Sequence, residues 1–297
     1  LARRGEKIVV LSRSFARHLS GQSERLELVA GDARDARLLA RILTEVDEVI
    51  FCVGGLQPAS AETAPLLDRA MIIDPLRVLL TAMMRRSTGT LTFLSSGGAV
   101  YGNPCHLPVD EDHPLAPIGA YGAVRAEAER MILAAADSGG MSCRILRCAN
   151  VYGEHQPLNR GQGAVGVFVD LIARGKTVEV YGDGSVVRDF VYVGDLVDAV
   201  AQLRGRHDAP TLINVGSGTG TSIRDLIAMI EAATGRRAIT CFSPSRSFDV
   251  REITLDISRL KKLIRFEPVP LAHGVRRLVD DYDSLTPDTE HTAVPVL

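Results

Sequence analysis

"TLTFLSSGGAVYGNP" (residues 90–104) runs from an unbroken apolar and β-branched segment into two serines, two glycines and a tyrosine. An apolar run that does not alternate with polar residues suits a strand covered on both faces, as in a parallel sheet. Where such a strand gives way to glycine, the chain turns at the strand's carboxyl end, the edge where open α/β sheets hold their ligands. Four other segments follow the same pattern: "KIVVLSR" (7–13), "LELVAGD" (26–32), "DEVIFCVGG" (47–55) and "SCRILRC" (142–148). Helical patterns separate them at about 33–45, 61–86 and 119–138, and strands spaced by helices predict a parallel sheet with helices on both faces.

After Asn150 the loops lengthen, and "TVEVYGDG", "DFVYV" and "TLINVGSG" interleave with helical patterns at about 163–175, 194–204, 221–234 and 256–264. The expected architecture is an α/β doubly wound parallel sheet (Rossmann-like) with a smaller C-terminal substrate domain. Residues 1–151 with 190–217 form the first unit, 152–189 with 218–284 the second, and 285–297 a flexible tail. "LARRGEK" (1–7) reads as the end of a helix leading into the second strand of a dinucleotide-binding unit. The first strand and its glycine loop are then absent from the given chain, which is read as N-terminally incomplete. "INVGSGTGTSIRDL" (213–226) carries G-x-G-x-G rather than G-x-G-x-x-G and comes too late to replace that loop.

Bulk properties exclude several classes. The 297 residues carry a formal net charge of −2 with no basic stripe, which argues against nucleic acid as a partner. No stretch of eighteen apolar residues occurs, so no membrane span is expected. Five cysteines are scattered without C-x-x-C spacing, which suggests reduced thiols and a cytoplasmic setting. Histidines show no H-x-x-x-H pair, and no metal centre is expected.

"AYGAVRAEAER" (120–130) places Tyr121 four residues before Arg125, on one face of a helix. A cation beside a phenol favours the phenolate, and such a tyrosine can move protons near neutral pH. Composition alone supplies about 0.7 tyrosine–cation pairs at this spacing, so context has to decide. That context is the serine-ended strand some 25 residues earlier, whose hydroxyls would meet Tyr121 at one mouth of the sheet.

Together, "SSGGAVYG", "RCANVYG", "YGDGSVVRDFVYVGDLVDA", "NVGSGTGTS" and "SRSFDVREITLDISRLKKL" resemble the extended short-chain dehydrogenase/reductase family, from Leu1 to about Tyr282. Within it, the chain is similar to the NAD-dependent nucleotide-sugar epimerases and dehydratases of the UDP-glucose 4-epimerase type. The resemblance implies a catalytic set of Tyr121 as phenolate base, Ser96 as its hydroxyl partner and Arg125 where the family has lysine. It implies cofactor binding by Asp32 at adenine and by Val53, Gly54 and Gly55 at the turn after the family's fourth strand, with Tyr121 and Arg125 at the nicotinamide. Asn150, Arg188 and Arg246, with Ser96, match the family's contacts to the sugar nucleotide, and a homodimer through a helical face is also implied.

Departures accompany the match. Arginine at 125 keeps its charge but does not deprotonate. The family's usual Ser/Thr position falls at Gly97, one place after Ser96, and Met71 occupies a position where the family often has asparagine. Ser12 and Arg13, in place of an acid at the end of the second strand, suit a 2′-phosphate and hence NADP; alternatively Arg13 stacks on adenine or faces solvent. Asp195 reads as a helix N-cap. Three readings follow: a 4-epimerase of a UDP- or dTDP-hexose using NAD, an NADPH-dependent nucleotide-linked 4-ketosugar reductase, and a non-catalytic relative that binds cofactor or sugar nucleotide.

Overall fold

The computed structural model describes residues 5–15, 24–86, 89–139, 141–154, 156, 163–206 and 208–285; the segment read as a flexible tail, apart from Leu285, lies outside them. The parallel sheet is present in two described pieces. One pairs β1 (Ile8–Ser12) with β2 (Leu26–Ala30). The other runs in the order β3 (Glu48–Phe51), β4 (Thr90–Ser96), β5 (Ser142–Cys148), β9 (Leu212–Val215), every neighbour parallel.

Both faces of this sheet are covered, which is why its strands read as continuous apolar runs. On one face Leu91, Phe93 and Ile145 pack with α1 (Ala36–Leu43), α3 (Pro65–Arg86) and α5 (Ala120–Asp137). On the other, Leu146, Cys148, Ile213 and Val215 pack with α7 (Val193–Leu203) and with Val250–Phe266, a stretch that contains α9 (Ser258–Leu263). Burial of a side chain such as Ile132 on α5, fully shielded from water, contributes about 1.5–3 kcal/mol. A third apolar cluster joins Tyr152, α6 (Ala164–Ala173), β7 (Thr177–Tyr181), Phe190 of β8 (Val187–Tyr192), α8 (Ile223–Thr234) and α10 (Leu271–Leu285).

The structure divides the expected helix at 61–86 in two. Pro65 lacks the amide hydrogen needed to continue α2 (Pro58–Thr63) and instead opens α3. Short elements without a long periodic signature add α4 (Gly97–Val100), β6 (Asn150–Tyr152), β10 (Gly220–Ser222) and β11 (Ile239–Ser243). Asp195 is not an N-cap: Tyr192 holds that position, and the Asp195 carboxylate accepts the Val269 amide at 2.8 Å. No described helix is long and apolar enough to cross a membrane.

A polar network lies between the two faces. Arg147 of β5 donates to Glu129 of α5 (Nη2···Oε2 2.8 Å), and their side chains are 3% and 0% exposed. Ser95 of β4 also donates to Glu129. Arg147 Nη1 reaches the Tyr101 hydroxyl and the Glu111 carbonyl, both at 3.0 Å. The Tyr101 hydroxyl donates onward to Asn214 of β9 at 2.7 Å. Burial by itself disfavours the Arg147 cation, but the Glu129 hydrogen bonds and charge more than offset it, and its pKa is raised. Replacing Glu129 by alanine strands that cation in the core. Urea unfolding of Glu129→Ala is therefore expected to show a loss of about 3–5 kcal/mol.

Candidate active site

At the carboxyl ends of β4 and β5 the chain encloses a cleft of about 900 Å³ whose lining includes Ser96, Tyr121, Asn150, Arg188 and Arg246. These residues come from β4, α5, β6, β8 and the loop after β11, so the tertiary fold gathers them from well-separated parts of the chain. Tyr121 is brought to the strand end by a close approach. A Cβ on its neighbour Gly122 would lie 2.6 Å from the Ala99 carbonyl oxygen and 2.9 Å from Pro117. Glycine therefore lets the first turn of α5 pack against α4, immediately after Ser96. Ser95 and Ser96 point to different work: Ser95 is committed to Glu129 in the core, while Ser96 makes no hydrogen bond through its hydroxyl among the described residues.

Arg125 is placed against Tyr121, as the i, i+4 helical spacing led us to expect. Its guanidinium lies over the ring face, 3.5 Å from the centroid, and donates to Asp68 at 2.9 Å and to the Tyr121 carbonyl at 3.2 Å. Asp68 of α3 is fully buried, and its other oxygen accepts the Leu56 amide at 2.6 Å. A buried carboxylate needs a partner, and the Arg125 guanidinium supplies it. The same carboxylate explains Gly55, where a Cβ would fall 2.0 Å from Asp68 Oδ1.

In the same cleft, Arg188 donates to the Val187 carbonyl at 2.9 Å and meets no carboxylate within ion-pair distance among the described residues. Burial lowers its pKa to about 10, against the raising effect of Asp249 and with a further lowering by Arg246. Arg246 pairs with Asp249 at 2.8 Å and lies over the Tyr181 ring, 4.1 Å from its centroid. An under-compensated guanidinium next to a second one is a site for an anion, which the planar fork of arginine binds bidentately. Asn150 Nδ2 donates to the Asp189 carbonyl at 3.2 Å.

The remaining sequence-predicted residues lie outside this lining, at the carboxyl ends of β1, β2 and β3. Val53 is 37% exposed, and open space surrounds the position a Cβ would take on Gly54, so a flat group can lie against the backbone there. Asp32 is held by Arg34 (Nη2···Oδ2 2.6 Å). The Ser12 hydroxyl turns back onto Ser14, donating to its carbonyl at 2.6 Å, and Arg13 is exposed. The later glycine-rich turn has its own occupant: the amides of Ser217 and Gly218 donate to the Asp189 carboxylate at 2.8 and 3.1 Å. Sequence reasoning overlooked Asp68 and Asp189, since isolated acids in a helix and a strand carry no local sign of burial.

Hydrogen bonds and the charge of Arg34 hold the Asp32 carboxyl down at about 2, compared with an ordinary 3.8. Because the folded pKa is depressed, any stability it contributes is present above about pH 4 and is lost as pH falls through 2. Carboxyl NMR titration is expected to place Asp32 near this low value, and Arg34→Ala to return it toward the ordinary one.

A model of the NAD dependent epimerase/dehydratase family matches residues 1–216. UDP-glucose 4-epimerase of Mycolicibacterium smegmatis is 31% identical over 89% of this chain and 85% of its own length. Among solved structures, UDP-glucose 4-epimerase of Thermotoga maritima with UDP-glucose superposes with a TM-score of 0.88 at 26% identity, covering 96% of this chain and 93% of that one. The UDP-glucose 4-epimerase of Thermus thermophilus in complex with NAD gives the same TM-score of 0.88 and 26% identity, over 96% of this chain and 94% of that one.

Proposed function

The chain belongs to the NAD-dependent epimerase/dehydratase family, and on that premise we propose that it is a 4-epimerase of a UDP- or dTDP-hexose. The observation that carries the reading is the single cleft that gathers Ser96, Tyr121, Asn150, Arg188 and Arg246. Residues 1–151 with 190–217 hold the dinucleotide in this reading, and 152–189 with 218–284 hold the sugar nucleotide. The chain's residues fit a nicotinamide dinucleotide in the part they supply. Gly54 and the exposed Val53 offer an open backbone surface, and the Asp32 carboxylate, which Arg34 bonds through its backbone amide, Nε and Nη2, accepts from an adenine amino group in exchange for one of those bonds.

When bound, the nicotinamide supplies the acceptor, and afterwards the donor, of the sugar's C4 hydride. Tyr121, as phenolate, takes the proton of the C4 hydroxyl, and Ser96 donates a hydrogen bond to the same oxygen. Arg125 holds the Tyr121 ring from its face and keeps a positive charge against it. Arg188 and Arg246 bind the diphosphate while the 4-keto hexose turns within the cleft. The proton then returns from Tyr121 to the C4 oxygen as the opposite face is reduced, so the sum of the reaction is an inversion with no net redox change. Arg13, exposed at the end of β1, supports a second reading as an NADPH-dependent 4-ketosugar reductase.

The test is to denature the purified protein, identify the dinucleotide released, and follow UDP-glucose conversion without added cofactor. Near-stoichiometric NAD and a C4-inverted product are expected. NADPH consumption with a 4-keto sugar nucleotide would favour the reductase, and neither activity would leave the non-catalytic reading. Tyr121→Phe is expected to lower kcat by about 10²–10⁴-fold with the fold unchanged in circular dichroism. Arg188→Ala is expected to cost about 2–5 kcal/mol of binding, seen as a raised KM with kcat far less affected.

A further inference from the structure

The segment joining Ser96 to Tyr121 carries a side-chain cluster that the epimerase reading does not use. Cys105 Sγ lies 3.5 Å from His106 Nδ1 and 3.4 Å from His113 Nε2, and the three donor atoms are all within 4.8 Å of one another. A tetrahedral zinc ion, with Zn–S near 2.3 Å and Zn–N near 2.0–2.1 Å, sets neighbouring sulfur and nitrogen ligands about 3.5 Å apart. The spacing C-H-x₆-H matches no common zinc motif, so the sequence alone predicted no metal here.

The far side of each imidazole is also tied down. His113 Nδ1 lies 2.8 Å from the Pro114 carbonyl oxygen, which only an N–H can satisfy. Its Nε2 is turned toward Cys105 and accepts that residue's amide at 3.3 Å, a hydrogen bond that a metal at this nitrogen replaces. His106 Nε2 faces the Asp110 carboxylate at 3.5 Å, and Nδ1 is the ring nitrogen turned toward the sulfur. A ring nitrogen aimed at a shared centre, with its opposite nitrogen on a carbonyl or carboxylate, is how metal-ligating histidines are oriented. Asp110 serves both: its other oxygen accepts the Asp112 and His113 amides at 2.9 and 3.0 Å.

The platform beneath is rigid. Val109 bonds Thr254 and Asp256 through backbone at 2.8 Å each, and the Arg251 amide donates to Asn103 at 2.9 Å. We propose that Cys105, His106 and His113 bind a divalent zinc ion, with Asp110 and the Pro114 carbonyl orienting the two imidazoles and a fourth position open to solvent. Thiolate plus two imidazoles is a donor set that favours zinc over magnesium or calcium. On binding, the Cys105 thiol loses its proton to solvent as the sulfur–metal bond forms.

The experiment is titration of the chelator-treated protein with Co(II), then displacement by Zn(II), followed by absorbance. Tetrahedral d–d bands and a sulfur-to-cobalt charge-transfer band saturating at one equivalent are expected. The charge-transfer band should be lost in Cys105→Ser and retained in Cys241→Ser, an exposed thiol elsewhere. Asp110→Asn should weaken binding about 10- to 100-fold. Wild-type protein that shows no saturable tetrahedral spectrum, or a spectrum unchanged in Cys105→Ser, overturns the proposal without requiring any variant to fold.

Discussion

The Arg147–Glu129 ion pair is the constraint on which the rest of this structure depends. Charges so deep cost several kcal/mol each to dehydrate, and only full hydrogen bonding makes them tolerable. Here the bonds are supplied by groups from separate parts of the chain: Ser95 at the end of β4, Tyr101 and Glu111 beyond it, and Asn214 of β9 through Tyr101. Satisfying one buried guanidinium therefore sets the relation of β4, β5 and α5 to one another. Those are the elements that present Ser96 and Tyr121 to the cleft.

A second buried acid governs the tyrosine itself. Asp68 takes Arg125 as its counter-ion, and the same cation lies over the Tyr121 ring face. Attraction to the π face is weaker than an ion pair but constrains orientation, since it is strongest with the guanidinium directly over the ring. In the proposed mechanism this makes Arg125 a positioning residue for the base. Arg188 is the complementary case, a half-buried cation with no carboxylate at ion-pair distance among the described residues. Asp189 follows the Asp68 pattern: the glycine-rich turn closes on it with backbone amides and so has none of these donors left for a phosphate.

Much of this organisation could be read along the chain. Strand–helix alternation and the apolar strands announced a parallel sheet covered on two faces, because burial on both sides removes polar alternation. The pairing of Ser96 with Tyr121, and the arginines at 188 and 246, followed from motif resemblance and meet at one cleft in the fold. The break at Pro65 was a local signal that a single helix over 61–86 passed over, whereas the short strands β6, β10 and β11 and the true partner of Asp195 were not legible. Each depends on contacts with residues tens of positions away, or on segments too short to establish a period.

What the sequence by itself determined was therefore the class of fold, since hydrophobic periodicity is a local property, while the cleft residues it named came from motif resemblance. Only the tertiary structure decided direction and partnership. It turned Arg125 toward Asp68, gave Ser95 to Glu129 and left Ser96 lining the cleft. It also folded Cys105, His106 and His113 around one point. The reason is physical: which polar group satisfies which is settled by burial, and burial exists only once distant segments have packed together.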